Sequence, residues 1–191
     1  MPRPLSFDPE KTLSKIMLYF WREGYRGTSI NDLSQTFGIS KFSLYQQYGN
    51  KESLFEKSIS KYQQKVYRPL IAPLREEKGL QAIQNYLDNL ETGLSQDQAE
   101  MGCLLNNTIV NAHSIPKNCV EHALGATKEL RYLLKKNFQI AQDKGEIKCA
   151  YQSCLNFTLM NVQALIQTRK TLGPLVMKQN LRFLKEQMTF W

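Results

Sequence analysis

A chain of 191 residues, 42 % of them hydrophobic, can build one domain or two small ones around an ordinary core. Its formal net charge of +8 favours an acidic partner, either nucleic acid or an anionic membrane surface. No stretch approaches the roughly 20 apolar residues of a membrane span; the segment MPRPLSFDPEK has no apolar run of the signal-peptide kind, and neither the four cysteines nor the two histidines show metal-ligand spacing. A cytoplasmic protein without membrane contact, metal or cofactor is therefore expected, with its cysteines reduced.

The basic charge is uneven. Residues 1–68 carry 11 Lys+Arg against 6 Asp+Glu, and residues 69–191 carry 14 against 11. Every long periodic segment reads as helix, so the expected fold class is all-α. Asp8, Pro9 and Glu10 form a helix start, with a capping Asp, a Pro at the first helical position and an acid in the first turn. Leu13, Ile16, Met17 and Phe20 then share one face, and Gly24 ends the helix. Ser29 and Asp32 form an approximate capping box for a second helix, whose inner stripe is Ile30, Leu33 and Phe37. Gly38 breaks it. Ser40 caps a very short third helix, with Leu44 and Tyr48 inward. Asn50 caps a fourth, running to about Leu70.

The composition shift and the prolines at positions 69 and 73 mark a boundary near residue 70. Beyond it, Leu80, Ile83, Leu87, Leu90 and Leu94 keep helical spacing. A shorter helix covers about Met101 to His113, a long one about Lys117 to Lys144, and two more complete the chain, split at Gly173-Pro174. Leu155, Leu159, Val162 and Ile166 form one late stripe, and Met177, Leu181, Leu184 and Met188 another. Two stripes per chain suit a four-helix bundle across a two-fold axis, or else each covers its own core.

Helix, glycine turn and short capped helix together make a helix-turn-helix, whose second helix enters the DNA major groove. A groove helix needs hydrogen-bonding groups on its outside. Ser40, Lys41, Ser43, Gln46 and Gln47 supply them, and Tyr45 adds a flat ring with a hydroxyl. The N-terminus of the helix opening at Ser29 offers an anion site, as does that of the helix after Asn50, where Lys51 adds charge.

The run FWREGYRGTSINDLSQTFGISKFSLYQQYGNKESLF, residues 20–55, resembles the DNA-binding domain of the TetR family of bacterial transcriptional regulators. The resemblance rests on Phe20, Gly24-Tyr25, Thr28-Ser29-Ile30, Leu33, Gly38-Ile39-Ser40-Lys41, Leu44-Tyr45, Tyr48, Lys51-Glu52 and Leu54-Phe55. It implies a helix-turn-helix DNA-binding domain at residues 1–50, a connecting helix at 51–70, and a helical ligand-binding and dimerisation domain at 71–191. It further implies a homodimer formed through the last two helices, a double-stranded DNA operator and a small-molecule effector. The DNA-binding candidates are Thr28, Ser29, Ser40, Lys41, Ser43, Leu44, Tyr45, Gln46, Gln47 and Lys51. Phe42, Gln47 and Ile16 depart from the family pattern, where a small residue, histidine and alanine are usual.

In the body, MGCLLNNT, Met101 to Thr108, resembles a segment of one broad branch of the family. Cys103 there reads either as a small buried residue or as an oxidant or electrophile sensor. Cys149 and Cys154, five apart, read as core. The effector-binding candidates are Met101, Leu105, His113, Phe138, Phe157 and Asn161; His113 fits a cavity wall or an exposed helix end. The leading reading is a ligand-responsive transcriptional regulator, a repressor by family habit. The alternatives are an all-helical enzyme or a non-DNA interaction module. Against the enzyme stands the lack of a nucleophile–base pair, metal cluster or phosphate loop in the sequence.

Overall fold

The first helix starts where Asp8 dictates. One carboxylate oxygen of Asp8 accepts the N–H groups of Glu10 (2.9 Å) and Lys11 (3.1 Å), two donors that the helix itself leaves unpaired. The computed structural model describes residues 7–92 and 101–191, with the backbone alone at 169, 170, 172 and 174; Leu94 of the predicted stripe lies outside the described residues. The elements are α1 (Pro9–Glu23), α2 (Ile30–Phe37), α3 (Lys41–Tyr48) and α4 (Lys51–Tyr62), a π-helical turn at Gln63–Tyr67, α5 (Arg68–Ile71), a 3-10 turn at Ala72–Glu76, α6 (Leu80–Thr92), α7 (Leu104–Val110), a 3-10 turn at Ala112–Ser114, α8 (Lys117–Asp143) and α9 (Tyr151–Met188). Among the described residues there is no strand, so the fold is all-α as expected.

The chain divides into two compact units, Met1–Lys65 with Leu104–Gly125, and Val66–Cys103 with Ala126–Trp191. The expected partition into 1–50, 51–70 and 71–191 is one by function; by packing, residues 104–125 group with the N-terminal helices. The reason lies in α8. Its first turns pack along α4: Asn118 Nδ2 donates to Glu56 Oε2 (3.3 Å), Cys119 lies against the Glu52 carbonyl, and His122 Nε2 meets Gln63 Oε1 at 3.0 Å. These pairings span about sixty residues of sequence, beyond the reach of any local periodicity. Helix α4 also ends earlier than expected, because the i→i+5 bonding of the π turn replaces α-helix from Gln63.

In the first unit, Ile16, Phe20 and Trp21 of α1 are buried with Leu33 of α2, Leu44 of α3 and Leu54, Phe55 and Ile59 of α4. Phe20 meets Phe55 edge to face at 5.0 Å between ring centres, and Trp21 meets Tyr62 at 4.8 Å. Buried Lys61 carries its charge to Glu10, tying α4 to the first turn of α1.

The second unit is organised around a satisfied polar core residue. The amide of buried Asn137 on α8 donates to the carbonyls of Leu74 (2.7 Å) and Leu133 (2.9 Å), and its oxygen accepts the Gly79 N–H (3.2 Å). The Tyr67 hydroxyl donates to the Ala126 carbonyl at 2.6 Å, and burial pushes this phenol well above its usual range. The run labelled α9 is two helices meeting at a kink at Gly173 (φ 75°, ψ 170°), a left-handed position that suits glycine, so the split expected at Gly173-Pro174 is present. Its apolar stripes, for which the sequence left two readings open, are largely buried, with Leu159 and Ile166 half-buried. Leu155, Val162, Met177, Leu181, Leu184 and Met188 are buried within their own chain. They are core, and Phe157, Met160, Leu175 and Phe183 of α9 are exposed instead. Arg182 and Lys185 fix the orientation of α9 on α6, pairing with Glu91 at 3.1 and 2.7 Å, and Lys185 also with Asp88 at 2.7 Å.

The cysteines correct an expectation. Cys149 and Cys154 are joined as a disulfide, and Cys103 and Cys119 take no part in it.

Candidate nucleic-acid interface

Four serine, asparagine and glycine signals shape the interface: Ser29, Gly38, Ser40 and Asn50. The Ser29 hydroxyl accepts the Asp32 N–H (3.1 Å), while the Asp32 carboxylate accepts the Ser29 N–H (2.7 Å), a complete capping box. The Ser29 hydroxyl bond holds the Asp32 carboxyl below its ordinary pKa, with the backbone bond adding to it. Gly38 then adopts the left-handed conformation (φ 64°, ψ 27°), so α2 stops and the chain turns into α3. Ser40 caps α3 by accepting the Ser43 N–H at 3.1 Å, and Asn50 caps α4 by accepting the Ser53 N–H at 2.8 Å.

Helix α3 is held from beneath. Leu44 is fully buried (0 % exposed), and the Tyr48 hydroxyl donates to the Pro9 carbonyl at 2.8 Å. Burial pushes the Tyr48 phenol up to about 12, so it remains a neutral donor. With Leu44 and Tyr48 inward, the helical period turns Lys41, Phe42, Tyr45 and Gln46 to solvent, with Ser43 and Gln47 half-buried at the flanks. Phe42 is 72 % exposed and Tyr45 is 50 % exposed, an unusual pair of open aromatic rings one turn apart. Such rings contact thymine methyl groups, while Lys41 and Gln46 have the donors and acceptors that base edges match.

Two of the DNA-binding candidates turn their side chains into the protein, Leu44 on the inward side that its spacing predicts. Leu44 belongs to the core and supports α3 without facing outward. Thr28 is buried, its hydroxyl donating to the Gly24 carbonyl at 2.8 Å, so its side chain closes the α1–α2 turn. Phe42 is the residue that motif reading did not select; its signal was a large apolar side chain on the polar side of a capped helix. Lys51 stands over the Tyr25 ring with its ammonium 4.1 Å from the ring centre. Burial lowers its pKa and nearby Asp32 partly restores it. The ring fixes the lysine at the mouth of α4, where exposed backbone N–H groups already favour an anion.

The effector candidates are shared between the two units. Leu105 and His113 belong to the first unit and Met101, Phe138, Phe157 and Asn161 to the second. His113 is exposed on a 3-10 turn. The Asn161 amide donates to its own helix at the Phe157 carbonyl. Phe138 and Phe157 do share a neighbour, the Trp191 indole, at 5.9 and 5.8 Å between ring centres. A cleft of about 390 Å³ beside Lys11, Lys15, Thr36 and Ile39 belongs to the helix-turn-helix unit and not to the body. Among the described residues, no group of three or more His, Cys, Asp or Glu side chains could hold a metal ion, and no helix is long and apolar enough to cross a membrane.

The fold and this interface define a helix-turn-helix protein with a helical body. Residues 15–57 match the family model described as "Bacterial regulatory proteins, tetR family". The transcriptional repressor ComR of Escherichia coli K12 is 32 % identical over 107 residues, covering 55 % of this chain and 51 % of ComR, so the aligned segment spans about half of that relative. A TetR-family transcriptional regulator from Agrobacterium tumefaciens superimposes over 94 % of this chain and 98 % of its own with a TM-score of 0.79 at 18 % identity. AibR, crystallised with isovaleryl coenzyme A and operator DNA, superimposes over 96 % of this chain and 100 % of its own with a TM-score of 0.69 at 17 % identity. Over residues 15–57 the chain is thus similar to the tetR family of bacterial regulatory proteins, and over nearly its whole length it shares the fold of solved TetR-family regulators.

Proposed function

We propose that the chain is a cytoplasmic, ligand-responsive transcriptional repressor that binds a palindromic DNA operator as a homodimer. The observation that carries this reading is the open face of α3: Lys41, Phe42, Tyr45 and Gln46 project from a helix that Leu44 and Tyr48 pin to the core. Ser29 and Lys51 flank it at the starts of α2 and α4, placed to hold phosphates while α3 reads base edges. Two-fold protein symmetry matches two-fold operator symmetry, so the dimer is part of the reading. We assign its face to the exposed apolar side chains of α9, Phe157 and Met160 before the Gly173 kink and Leu175 and Phe183 after it. An effector held by the body acts by preferring one of two conformations, and the isovaleryl coenzyme A of AibR lends support to an acidic, partly apolar ligand.

The experiment is selection of duplexes from a random pool by the full chain. A two-fold symmetric consensus is expected, with half-sites about one helical turn, roughly 34–36 Å, apart. Failure to enrich any sequence, with binding no tighter than to random duplex, would overturn the reading.

A further inference from the structure

The Cys149–Cys154 bond sits where three segments of the second unit meet. Ile147, in the loop leaving α8, is buried. The next two N–H groups, of Lys148 and Cys149, both donate to the Trp191 backbone oxygen, the second at 3.1 Å. Helix α9 begins at Tyr151, whose N–H donates to Gln142 Oε1 at 2.9 Å, and Ala150 provides no side-chain cap. The Trp191 indole then lies against Phe138 of α8 and Phe157 of α9. The disulfide joins cysteines only five positions apart. Closing so short a loop removes little freedom from the unfolded chain, so the bond is a weak staple for the fold as a whole. Its effect is local: it fixes the first turn of α9 and, through Cys149, the seat of Trp191.

We propose that Cys149 and Cys154 are a redox-active pair, opened by small thiols and closed by small disulfides, that sets the order of Trp191 and the start of α9. The two sulfurs are suited to different parts in the exchange. Cys149 is half-exposed and Cys154 is buried in the first turn of α9. A small thiolate attacks Cys149 Sγ, the protein S–S bond breaks, and Cys154 leaves as a thiolate at a helix N-terminus, which stabilises it. A second thiolate attacks the outer sulfur of the mixed disulfide and releases Cys149. In total, one protein disulfide and two small thiols become two protein thiols and one small disulfide. The protein gains two electrons and two protons, and the small thiol is oxidised. The consequence for DNA rests on the repressor reading. Phe157, which Trp191 supports, lies on the proposed dimer face, so opening the bond is expected to weaken the dimer and with it DNA binding.

The test uses the full chain equilibrated in glutathione and glutathione disulfide at graded ratios. Alkylation and mass spectrometry read each cysteine, tryptophan emission reads Trp191, and binding to a selected duplex reads function. Cys149 and Cys154 are expected to convert together and reversibly. Emission should change in step, and Trp191→Phe should lack that change. Cys149→Ser should give the reduced-state emission at every ratio. Duplex affinity should fall at least about threefold on reduction. A pair that stays bonded in excess glutathione overturns the proposal, as does a pair that converts with emission and affinity unchanged. If neither state binds any selected duplex, the repressor reading fails, and the emission and alkylation data alone decide the redox pair.

Discussion

Helices α3 and α9 present apolar side chains by opposite logic. Helix α3 has eight residues and hides only Leu44 and Tyr48, leaving Phe42 and Tyr45 in water. The run α9, kinked at Gly173, hides most of its two regular stripes and leaves Phe157, Met160, Leu175 and Phe183 exposed. Regular spacing therefore marks the core and says little about partners. A partner surface shows itself as large apolar side chains that depart from the buried stripe. The same rule is our ground for proposing Phe42 as a contact on α3 and for keeping Leu181 out of the proposed dimer face of α9.

The largest effects should separate the two sides of α9. Leu181→Asp puts an unpaired charge into a fully buried position and should unfold the body, a loss of more than about 4 kcal/mol. Phe183→Asp, two residues on and exposed, should change the stability of the single chain by only about 0.5 kcal/mol while converting a dimer to a monomer. Chemical denaturation and light scattering check both. Equal destabilisation by the two changes would erase the distinction between core stripe and partner face.

On α3, Phe42→Ala should weaken binding to the selected operator by about 1–3 kcal/mol, most at thymine positions, with circular dichroism unchanged. Binding that is insensitive to Phe42 would return α3 to plain surface. Ser40→Ala should cost about 1 kcal/mol of stability through loss of the cap, measured by urea denaturation.

The smallest effect belongs to the body. The hydrogen bond from Lys185 holds the Glu91 carboxyl below its ordinary value of 4.5, helped by Arg182. For a depressed carboxyl, the added stability is complete above the unfolded value and disappears as pH falls through the folded one. The difference in Tm between wild type and Glu91→Gln should thus favour wild type at pH 7 and shrink below about pH 4.5. A difference that is constant from pH 7 to pH 3 would remove Glu91 from the contacts that seat α9 on α6.

The N-terminal helices could be read from the sequence because their signals are local. Asp8, Ser29, Ser40 and Asn50 each cap the helix that follows them, and Gly38 takes the left-handed turn its place requires. The groove-facing residues follow from the same short period. What escaped the sequence was long-range. The packing of Asn118, Cys119 and His122 along α4 could not be seen in either helix alone. Thr28 carried the polarity of a surface residue, yet its hydroxyl is spent on the Gly24 carbonyl. The disulfide needed the loop after Gly145 to bring Cys149 back over the first turn of α9, and five-residue spacing on a helix suggested two core thiols instead.

In the proposed complex, α3 reads base sequence while Lys51 holds phosphate. The direct measurement is the affinity of wild type, Tyr45→Ala and Lys51→Ala for the selected operator and for random duplex across a range of salt. Tyr45→Ala should lose about 1–3 kcal/mol on the operator, roughly 5- to 150-fold, with little change on random duplex and the same salt slope. Lys51→Ala should weaken both duplexes alike and reduce the salt slope by about 0.9. Parallel losses on both duplexes for both variants, or no loss for Tyr45→Ala, would contradict the assignment of α3 to the groove.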